Sequence, residues 1–312
     1  MRTVDWSSPS DRRQRDDAKP IDTDLKDKLM KLNGKVSLIS ACGKGIGREV
    51  ALTLAREGSK VVINSFSEAN TQALAQELDA LGARVVAVAG DITKSAVILK
   101  MVAAAIDAFG KIDVLVNNVG GGAAADIDDK DNPLADVEAL WDGTYAMSLK
   151  APVLMCEAVM PHFIEQRSGK IINMSSLAGR PGMPHVDLVP LSASYHSTKA
   201  GLIRYTQVLA DQLGRHNINV NAICPGIIYT DGWREISEAM VENHPRFKGE
   251  DPREWFVGVG EGRYASEGMP QTAMRREQTT GDIAEAVLFL ASDAAANITG
   301  QTLNVDGGMA KD

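Results

Sequence analysis

Short apolar runs alternate along most of the chain with longer segments in which apolar positions recur every three or four residues. Apolar runs without polar alternation are typical of strands that are buried on both faces of a parallel sheet. The longer segments have the period of an amphipathic helix. The pattern predicts strands over 36–40, 61–63, 84–89, 112–116, 170–174, 218–223 and 301–305, and helices over 48–57, 69–81, 95–109, 137–164, 194–215 and 282–291.

The alternation of strands with helices predicts the fold class. Each helix returns the chain by a right-handed crossover, so the strands form one parallel sheet with helices on both faces. We predict an α/β protein with a single doubly wound, Rossmann-type domain and a parallel sheet of about seven strands. Pro152 and Pro161 are expected to interrupt the long 137–164 helix. Ligands of such sheets bind beyond the carboxyl ends of the strands.

Two segments do not follow the alternation. Residues 1 to about 30 mix charges, serine and proline without a period, and predict a flexible extension over 1–32 ahead of a domain over 33–312. An arm that contacts another subunit is the alternative role for this extension. About fifty residues separate Thr230 from Gly281, and we interpret this stretch, about 230–280, as an enlarged lid over the substrate.

Composition argues against several classes of function. The 312 residues are 44% hydrophobic and 24% charged, which is ordinary for a globular protein. The net charge of -8 disfavours nucleic acid and anionic membrane surfaces as partners. No apolar run is long enough to span a bilayer, and the polar N-terminus lacks the apolar stretch of a secretory signal. Three scattered cysteines indicate reduced thiols and a cytoplasmic location, and five dispersed histidines indicate no metal site.

A glycine-rich turn joins the first predicted strand to the first predicted helix. Residues 40–47, which we call the glycine turn, are Ser-Ala-Cys-Gly-Lys-Gly-Ile-Gly. Backbone N–H groups at such a turn and the N-terminal end of the helix dipole face an anion, and glycine lets a pyrophosphate approach closely. The position between a strand and a helix predicts a dinucleotide site, to which this turn contributes Ser40, Cys42, Lys44, Gly45 and Ile46.

Tyr195 and Lys199 lie four residues apart on a predicted helix, so their side chains share one face. A nearby ammonium stabilises a phenolate and lowers the tyrosine pKa from its usual value of about 10. Ser176, just after the 170–174 strand, has a hydroxyl that can hydrogen-bond a substrate oxygen. Together these side chains predict a site that moves a proton on or off an alcohol. Taken alone, such a pair is more often a packed tyrosine beside a solvated lysine.

These motifs, in this order, resemble those of the short-chain dehydrogenase/reductase family. The resemblance covers about residues 33 to 308. It rests on the glycine turn ending Gly45-Ile46-Gly47, Asp91-Ile92, Asn117-Asn118-Val119-Gly120, Ser176, Tyr195 with Lys199, Pro225-Gly226 with Thr230, and Asn304-Val305-Asp306-Gly307-Gly308.

The resemblance implies a role for each matching residue. Tyr195 would be the general acid or base, and Lys199 would lower its pKa and bind the nicotinamide ribose. Ser176 would hold the substrate oxygen, with Ser175 as the alternative serine. The remaining implied cofactor contacts are Asp91 and Ile92 at the adenine, Asn118 and Gly120 near the ribose, and Pro225, Gly226, Ile228 and Thr230.

The chain departs from the family pattern at two positions. Ala41 stands where the family has a glycine, a change that costs little unless its φ is positive. Ser148 stands where the family has an asparagine that opens a helix for a proton-relay water. A serine hydroxyl can bind water but offers fewer groups than an amide, so we predict an altered relay with Ser148 still in the site.

Cofactor choice is set at the end of the second strand, where an acidic residue binds the ribose hydroxyls of NAD. Asn64 and Ser65 occupy this place, so no carboxylate repels a 2′-phosphate. Lys44 stands where family members that use NADP often carry a base, and its ammonium can hold a phosphate. These residues favour NADP(H), whereas the nearby Glu68 keeps NAD(H) possible.

The lid is rich in large apolar side chains and in arginines. They are Trp233, Trp255, Phe256, Tyr264, Met269 and Met274, with Arg234, Arg246, Arg263, Arg275 and Arg276. An apolar lid suits a bulky hydrophobic substrate, for which we predict contacts from Ser176, Met183 and Trp233. The alternative is that the apolar residues pack within the lid and the arginines are solvated.

The sequence therefore predicts an oxidoreductase that interconverts a secondary alcohol and a ketone, on a bulky substrate such as a sterol, terpenoid or aromatic ketone. A 3-oxoacyl thioester reductase is the alternative enzyme. A catalytically silent nucleotide-binding or scaffold protein is the alternative from another class. The resemblance also implies a homo-oligomer, a dimer or tetramer paired through the helices over 137–164 and 194–215. Met147, Leu154 and Val159 fit a partly buried interface there and fit the core equally well.

Overall fold

The computed structural model describes residues 30–121, 132, 134–180, 193–267, 269 and 271–311. The extension expected over 1–32 therefore lies almost wholly outside the described residues. Leu32 belongs to the packed domain, because its side chain is fully buried and its N–H donates to the Glu57 carbonyl at 2.9 Å. The packed domain thus includes the last residue assigned to the extension.

The strands of the described residues are β1 (Val36–Ile39), β2 (Lys60–Ser65), β3 (Val85–Ala89), β4 (Val114–Asn117), β5 (Gly169–Met174), β6 (Ile218–Pro225) and β7 (Thr302–Val305). They form one parallel sheet in the order β3-β2-β1-β4-β5-β6-β7. Every residue of β1 and of β4 is buried, as expected for strands covered on both faces. The predicted α/β class and doubly wound sheet are confirmed.

The helices of the described residues are α1 (Gly45–Arg56), α2 (Glu68–Ala80), α3 (Ser95–Phe109), α4 (Ala135–Tyr145), α5 (Ala151–Gln166), α6 (Ala193–Leu213), α7 (Asp231–Asn243), α8 (Pro252–Glu261) and α9 (Thr280–Ala291). One apolar cluster packs α1, α2 and α9 on one face of the sheet, and another packs α3, α5 and α6 on the opposite face. Strand β1 pairs with both β2 and β4, so the strand order reverses there and opens a crevice. Among these helices, none combines the length and the apolar character needed to cross a bilayer.

The long helix expected over 137–164 is divided by a wide turn and not by its prolines. Helix α4 continues through a π-helical turn, Ala146–Lys150, into α5. Pro152 lies at the start of α5, where a missing N–H is tolerated. Pro161 lies inside α5, and the burial of Val159 and Phe163 on either side holds the helix against the sheet. The interruption expected at the prolines is therefore wrong.

Helices α7 and α8 lie in the stretch that we interpret as a lid. Their inner faces and the adjoining segments form a cluster that we call the lid core, made up of Ile227, Met240, Phe247, Trp255, Phe256, Val259, Tyr264 and Met269. The ring centroids of Phe247 and Trp255 are 5.8 Å apart and those of Phe247 and Tyr264 are 5.1 Å apart, both in edge-on contact. The lid core is separate from the two clusters that flank the sheet.

Candidate active site

A cavity of about 460 Å³, which we call the main cavity, lies beyond the carboxyl ends of the central strands. The residues expected in the site that line it are Ile46, Asn118, Gly120, Ser175, Ser176, Tyr195, Lys199, Pro225, Gly226, Ile228, Thr230 and Trp233. An adjoining cleft of about 450 Å³ is lined by Lys44, Gly45, Ile46, Asn118, Tyr229, Thr230, Asp231, Gly232 and Arg234. Met183, expected at the substrate, lies outside the described residues.

The glycine turn is braced by amide side chains from two neighbouring strands. The Asn64 Oδ1 accepts a hydrogen bond from the Ala41 N–H at 3.2 Å, and the Asn118 Nδ2 donates to the Ala41 carbonyl at 2.9 Å. Ala41 is held at φ 51°, in the left-handed region. Because this φ is positive, an alanine here is costly: its Cβ strains a conformation that glycine adopts freely.

Glycine allows the turn to approach both strands closely. A side chain at Gly47 would overlap the Asn118 amide, and one at Gly43 would overlap Ser65. Lys44, the N-cap residue of α1, makes no side-chain capping hydrogen bond. The first backbone N–H groups of α1 are therefore left for an anion in the adjoining cleft.

Three residues expected to contact the cofactor turn their side chains into the protein. The Asn64 Nδ2 donates to two backbone carbonyls near the end of β3 at 2.9 and 3.1 Å. Cys42 is fully buried, and burial raises the pKa of its thiol to about 12. The Ser40 hydroxyl accepts from the Asn118 N–H at 3.2 Å. The Asn64 amide thus holds the glycine turn in shape, and contact of Asn64 with the cofactor stays a prediction.

Asp91 and Ile92, expected at the adenine, and Ser65, expected at the adjacent ribose, lie farther along the same sheet edge, at the ends of β3 and β2. Ser65 is buried against Gly43. The Asp91 Oδ1 accepts from the N–H and the hydroxyl of Thr93 at 2.9 and 2.8 Å, and Ile92 is packed in the cluster with α3. These side chains do not line the main cavity, and their contact with an adenine stays a prediction.

Tyr195 and Lys199 lie in the first turns of α6 and line the main cavity together with Ser176. The Tyr195 and Ser176 side chains are hydrogen-bonded. The Lys199 Nζ lies 5.7 Å from the centroid of the Tyr195 ring and donates to the Met174 carbonyl at 2.7 Å. A Cβ at Gly120 would come within 2.5 Å of this Nζ, so glycine there leaves room for the ammonium.

Burial controls the protonation of both groups. Burial raises the pKa of Tyr195 above its usual value, and the hydrogen bond with Ser176 opposes this shift. Burial lowers the pKa of Lys199 to about 8. Burial is the largest influence on the pKa of Tyr195 in this structure, and a lowering of that pKa by Lys199 stays a prediction.

The two adjacent serines have different partners. The Ser175 hydroxyl is buried and donates to the Lys199 carbonyl at 2.9 Å, so it braces helix α6. The Ser176 hydroxyl accepts from the Ala178 N–H at 3.1 Å and is bonded to Tyr195. Of the pair, Ser176 is therefore the serine that the fold brings to the tyrosine.

Ser148 lies in the π-helical turn and is fully buried. Its hydroxyl donates to the Gly121 carbonyl at 3.0 Å and accepts from the Gly121 N–H at 3.3 Å. The hydroxyl proton is thus engaged in a hydrogen bond to the loop that contains Gly120, the glycine packed against Lys199. Ser148 holds this loop in place, and its part in a proton relay stays a prediction.

Most of the apolar lid residues singled out in the sequence do not face a substrate. Trp233 lines the main cavity, whereas Trp255, Phe256, Tyr264 and Met269 are buried in the lid core. Two short helices without a sheet behind them need a core of their own, so packing within the lid replaces the substrate contact suggested by composition.

The lid arginines are held by carboxylates and carbonyls at the surface. The contacts are Arg234 with Asp231 and Glu238, Arg246 with Glu250, Arg263 with Glu254 and Glu261, Arg276 with Asp282, and Arg275 with the Glu261 carbonyl. None of these arginines lines the main cavity in the described part of the chain, and Arg234 lines the adjoining cleft.

The apolar wall of the main cavity was not predicted from the sequence; it is formed by Leu177, Ile227, Ile236 and Met309. Ile236 lies three residues after Trp233 on α7, so helical spacing was a usable signal. Met309 is held by Asp306, whose carboxylate accepts from the N–H groups of Gly308 at 2.9 Å and Ala310 at 2.7 Å. The Lys44–Asp231 ion pair joins residues 187 positions apart, so no local pattern predicts it.

Family models and similar proteins of known name point to the same family. The family model described as short chain dehydrogenase matches residues 35–241, and one described as enoyl-(acyl carrier protein) reductase matches residues 259–310. A 3-oxoacyl-[acyl-carrier-protein] reductase of Staphylococcus epidermidis is 34% identical over 277 residues, which cover 88% of this chain and 98% of that protein. The (2S)-[(R)-hydroxy(phenyl)methyl]succinyl-CoA dehydrogenase subunit of Thauera aromatica is 33% identical over 286 residues, covering 89% of this chain and 98% of that protein.

A solved structure gives the same result for the fold. The L-sorbose reductase of Gluconobacter frateurii, complexed with NADPH and L-sorbose, is similar with a TM-score of 0.76 at 27% identity. The match covers 91% of this chain and 99% of that chain.

Proposed function

Because this chain belongs to the short-chain dehydrogenase/reductase family of NAD(P)-dependent oxidoreductases, we propose that it interconverts a secondary alcohol and a ketone with NADP(H). Tyr195 is the general acid or base, Ser176 holds the substrate oxygen and Lys199 supports both the tyrosine and the cofactor. The observation that carries this proposal is the meeting of the three side chains in one cavity beyond the strand ends.

A nicotinamide dinucleotide fits the residues around this cavity. The glycine turn leaves the first N–H groups of α1 facing the adjoining cleft, where a pyrophosphate is the anion that this kind of turn binds. Asn118 lines both the cleft and the main cavity, and Lys199 lines the main cavity, where the two would hold a ribose. When bound, the nicotinamide ring supplies or accepts the hydride.

The direction of proton transfer follows from the protonation of Tyr195. Its raised pKa keeps the phenol protonated at neutral pH, so its hydroxyl is ready to donate to a ketone oxygen. The Ser176 hydroxyl steadies the same oxygen, and the Lys199 ammonium, with a pKa of about 8, is still charged in neutral solution to stabilise the phenolate that remains. Tyr195 can thus act as the general acid in ketone reduction, and its phenolate as the general base in alcohol oxidation.

The preference for NADP(H) is supported by charge at the cleft. Lys44 places an ammonium beside the glycine turn, and β2 ends without a carboxylate that would repel a 2′-phosphate. The similar L-sorbose reductase is complexed with NADPH. A charge-assisted contact contributes about 1.5–3 kcal/mol, which corresponds to a preference of roughly ten- to a hundredfold.

The substrate side of the main cavity supports an apolar substrate. Leu177, Ile227, Trp233, Ile236 and Met309 form a wall without charge. We propose a bulky hydrophobic ketone or alcohol of the sterol, terpenoid or aromatic class. A 3-oxoacyl thioester is the second candidate, because the Staphylococcus and Thauera relatives are named for thioester substrates.

Absorbance of NADPH with a panel of steroids, cyclic and aromatic ketones and acetoacetyl thioesters tests the proposal. Tyr195→Phe should cut turnover by roughly 10²–10⁴, the usual worth of a positioned acid–base group, with cofactor affinity nearly intact. Tyr145→Phe, which removes the same atom from an exposed side chain, serves as the matched control. A Tyr195→Phe variant with most of its activity would remove the tyrosine from the mechanism. Cofactor binding without turnover of any alcohol or ketone would favour the silent nucleotide-binding protein.

We also propose a homo-oligomer, with a different set of contact residues from those expected. Val159 is fully buried, and Met147 and Leu154 pack against the cluster with α3 and α5. The exposed apolar residues of the α4 region recur every three or four positions and are between 41% and 57% exposed: Leu134, Val137, Trp141 and Tyr145. Sedimentation velocity at micromolar concentration measures the state, and a monomer alone would overturn the idea.

A cytoplasmic location is the last part of the proposal. Cys42, Cys156 and Cys224 are free and buried, as suits a reducing compartment. Fractionation of cells that express the full chain tests this location, and recovery from an oxidising compartment would contradict it.

A further inference from the structure

Lys44 is the cation on which the proposed NADP(H) preference depends, yet its ammonium contacts the lid. The Lys44 Nζ lies 3.1 Å from Oδ2 of Asp231, the first residue of α7. The two side chains are 64% and 56% exposed, so the pair lies at the rim of the molecule. It joins the glycine turn to the lid along the adjoining cleft, which both residues line.

The position of the pair within the cleft matters for cofactor choice. In this fold the adenosine ribose binds at the end of the second strand. Gly43, the neighbour of Lys44, packs against Ser65 at that end of β2. Asp231 belongs to the lid and thus to another wall of the cleft, so its carboxylate draws the single ammonium of Lys44 away from the ribose side.

A second cation, Arg234, lies beside Asp231 on the lid. Arg234 approaches Asp231 to 3.8 Å and Glu238 to 4.0 Å on the same helix. When Lys44 turns to a phosphate, the Asp231 carboxylate therefore keeps a cation beside it. The Asp231 carboxylate and the 2′-phosphate would then compete for the same ammonium, that of Lys44.

We propose that Asp231 is a specificity-determining residue: its carboxylate holds Lys44 on the lid side of the cleft and so reduces the preference for NADP(H) over NAD(H). The inference rests on the proposed function, because it needs Lys44 to contact the 2′-phosphate. An exposed ion pair of this kind corresponds to a change of about two- to fivefold in an equilibrium constant. The residue tunes the preference and does not create it.

The test is a double-mutant cycle on cofactor binding. NADPH and NADH are titrated at low ionic strength into the wild type, Asp231→Asn, Lys44→Ala and the double variant. In Asp231→Asn the ratio of the NADH to the NADPH dissociation constant should rise by about two- to fivefold. In the Lys44→Ala background the same substitution should leave the ratio unchanged, because no ammonium remains to be released. Added salt should reduce the effect of Asp231→Asn, since the pair is exposed.

Glu238→Gln is the matched control, because it makes the same change of charge on the same helix beside Arg234. Its ratio should equal that of the wild type. An unchanged ratio in Asp231→Asn, or an equal change in affinity for both cofactors, would overturn the inference. The proposed preference for NADP(H) would still stand if Lys44→Ala weakened the binding of NADPH alone. If Lys44→Ala leaves NADPH binding unchanged, the proposed role of Lys44 fails and the inference fails with it.

Discussion

The two walls of the active-site cavity are stabilised in different ways. The catalytic wall includes buried polar groups that the backbone holds, as when the Lys199 Nζ donates to the Met174 carbonyl and Ser175 to the Lys199 carbonyl. The lid wall has an aromatic interior and carries its charges in surface ion pairs. The catalytic wall packs on the sheet, whereas the lid wall is stabilised by its own core. Substitutions in the catalytic wall should therefore affect turnover, and substitutions in the lid core should affect the stability of the lid.

The largest effect is expected in the lid core. Trp255→Ala deletes a fully buried indole and should cost about 3–5 kcal/mol of local stability. Because the lid core is separate from the sheet clusters, amides of α8 should exchange hydrogen faster while those of β1 and β4 keep their protection. Hydrogen exchange followed by mass spectrometry measures this difference.

Trp255→Phe is the control for the same position. The indole N–H of Trp255 is buried without a hydrogen-bond partner, so phenylalanine removes no hydrogen bond and keeps much of the ring packing. It should cost clearly less than alanine. An equal loss of protection in β4 would show that the lid and the sheet unfold as one unit and would remove the contrast between the two walls.

A smaller effect, of opposite sign, is expected in the catalytic wall. The pKa of Lys199 falls from 10.5 to about 8 on burial, which corresponds to about 3 kcal/mol of disfavoured charge. The lost hydrogen bond to Met174 offsets about 1 kcal/mol, so Lys199→Met should raise the free energy of unfolding by about 2 kcal/mol at neutral pH. If the proposed mechanism holds, its turnover should collapse, because the ammonium proposed to support Tyr195 is gone.

The pH dependence of this gain gives the sharper test. Between pH 8 and pH 10.5 the folded wild type has lost the Lys199 proton and the unfolded chain still holds it, so wild-type stability rises with pH. The gain of Lys199→Met should be full below about pH 8 and shrink across this window. Urea unfolding at several pH values measures it, with the exposed Lys94→Met as the control that should gain nothing. A gain that does not change with pH would contradict a buried ammonium.

Much of this architecture could be predicted because strands buried on both faces have a local signature. The strand expected over 112–116 appears as Val114–Asn117, and the helix expected over 95–109 has those bounds. The catalytic wall could be predicted for a related reason: Asn118, Ser176 and Gly226 each follow the end of a parallel strand, and such ends meet at one edge.

The remaining features depend on contacts between distant segments. Whether Trp255 faces a substrate or the lid core is decided by how α7 packs on α8, which composition does not reveal. The direction of the Tyr195 pKa shift is decided by burial, which a helix with Tyr and Lys four apart does not specify. The position of the break in the long helix was missed because proline is a visible signal and a π-helical turn is not.

The smallest effect is expected at Ala41, in the turn that supports the catalytic wall. Ala41→Gly should stabilise the protein by about 1 kcal/mol, because glycine adopts φ 51° without strain while the unfolded chain gains some freedom. Cofactor affinity should stay the same, since Asn64 and Asn118 hold the backbone of this residue. A fall in the denaturation midpoint would mean that the Ala41 methyl group contributes more by packing than it costs in strain.

The turn after β7, which the Asp306 carboxylate holds, affects where the protein can be attached to a support. Met309 lies three residues after Asp306 and forms part of the cavity wall, so a linker fused just beyond it would be anchored beside the substrate. Leu32, in contrast, is bonded to Glu57 at the far end of α1. The twelve residues of that helix place this end about 18 Å from the glycine turn. A support attached beside Met309 would therefore crowd the cavity more than one attached at the Glu57 end of α1.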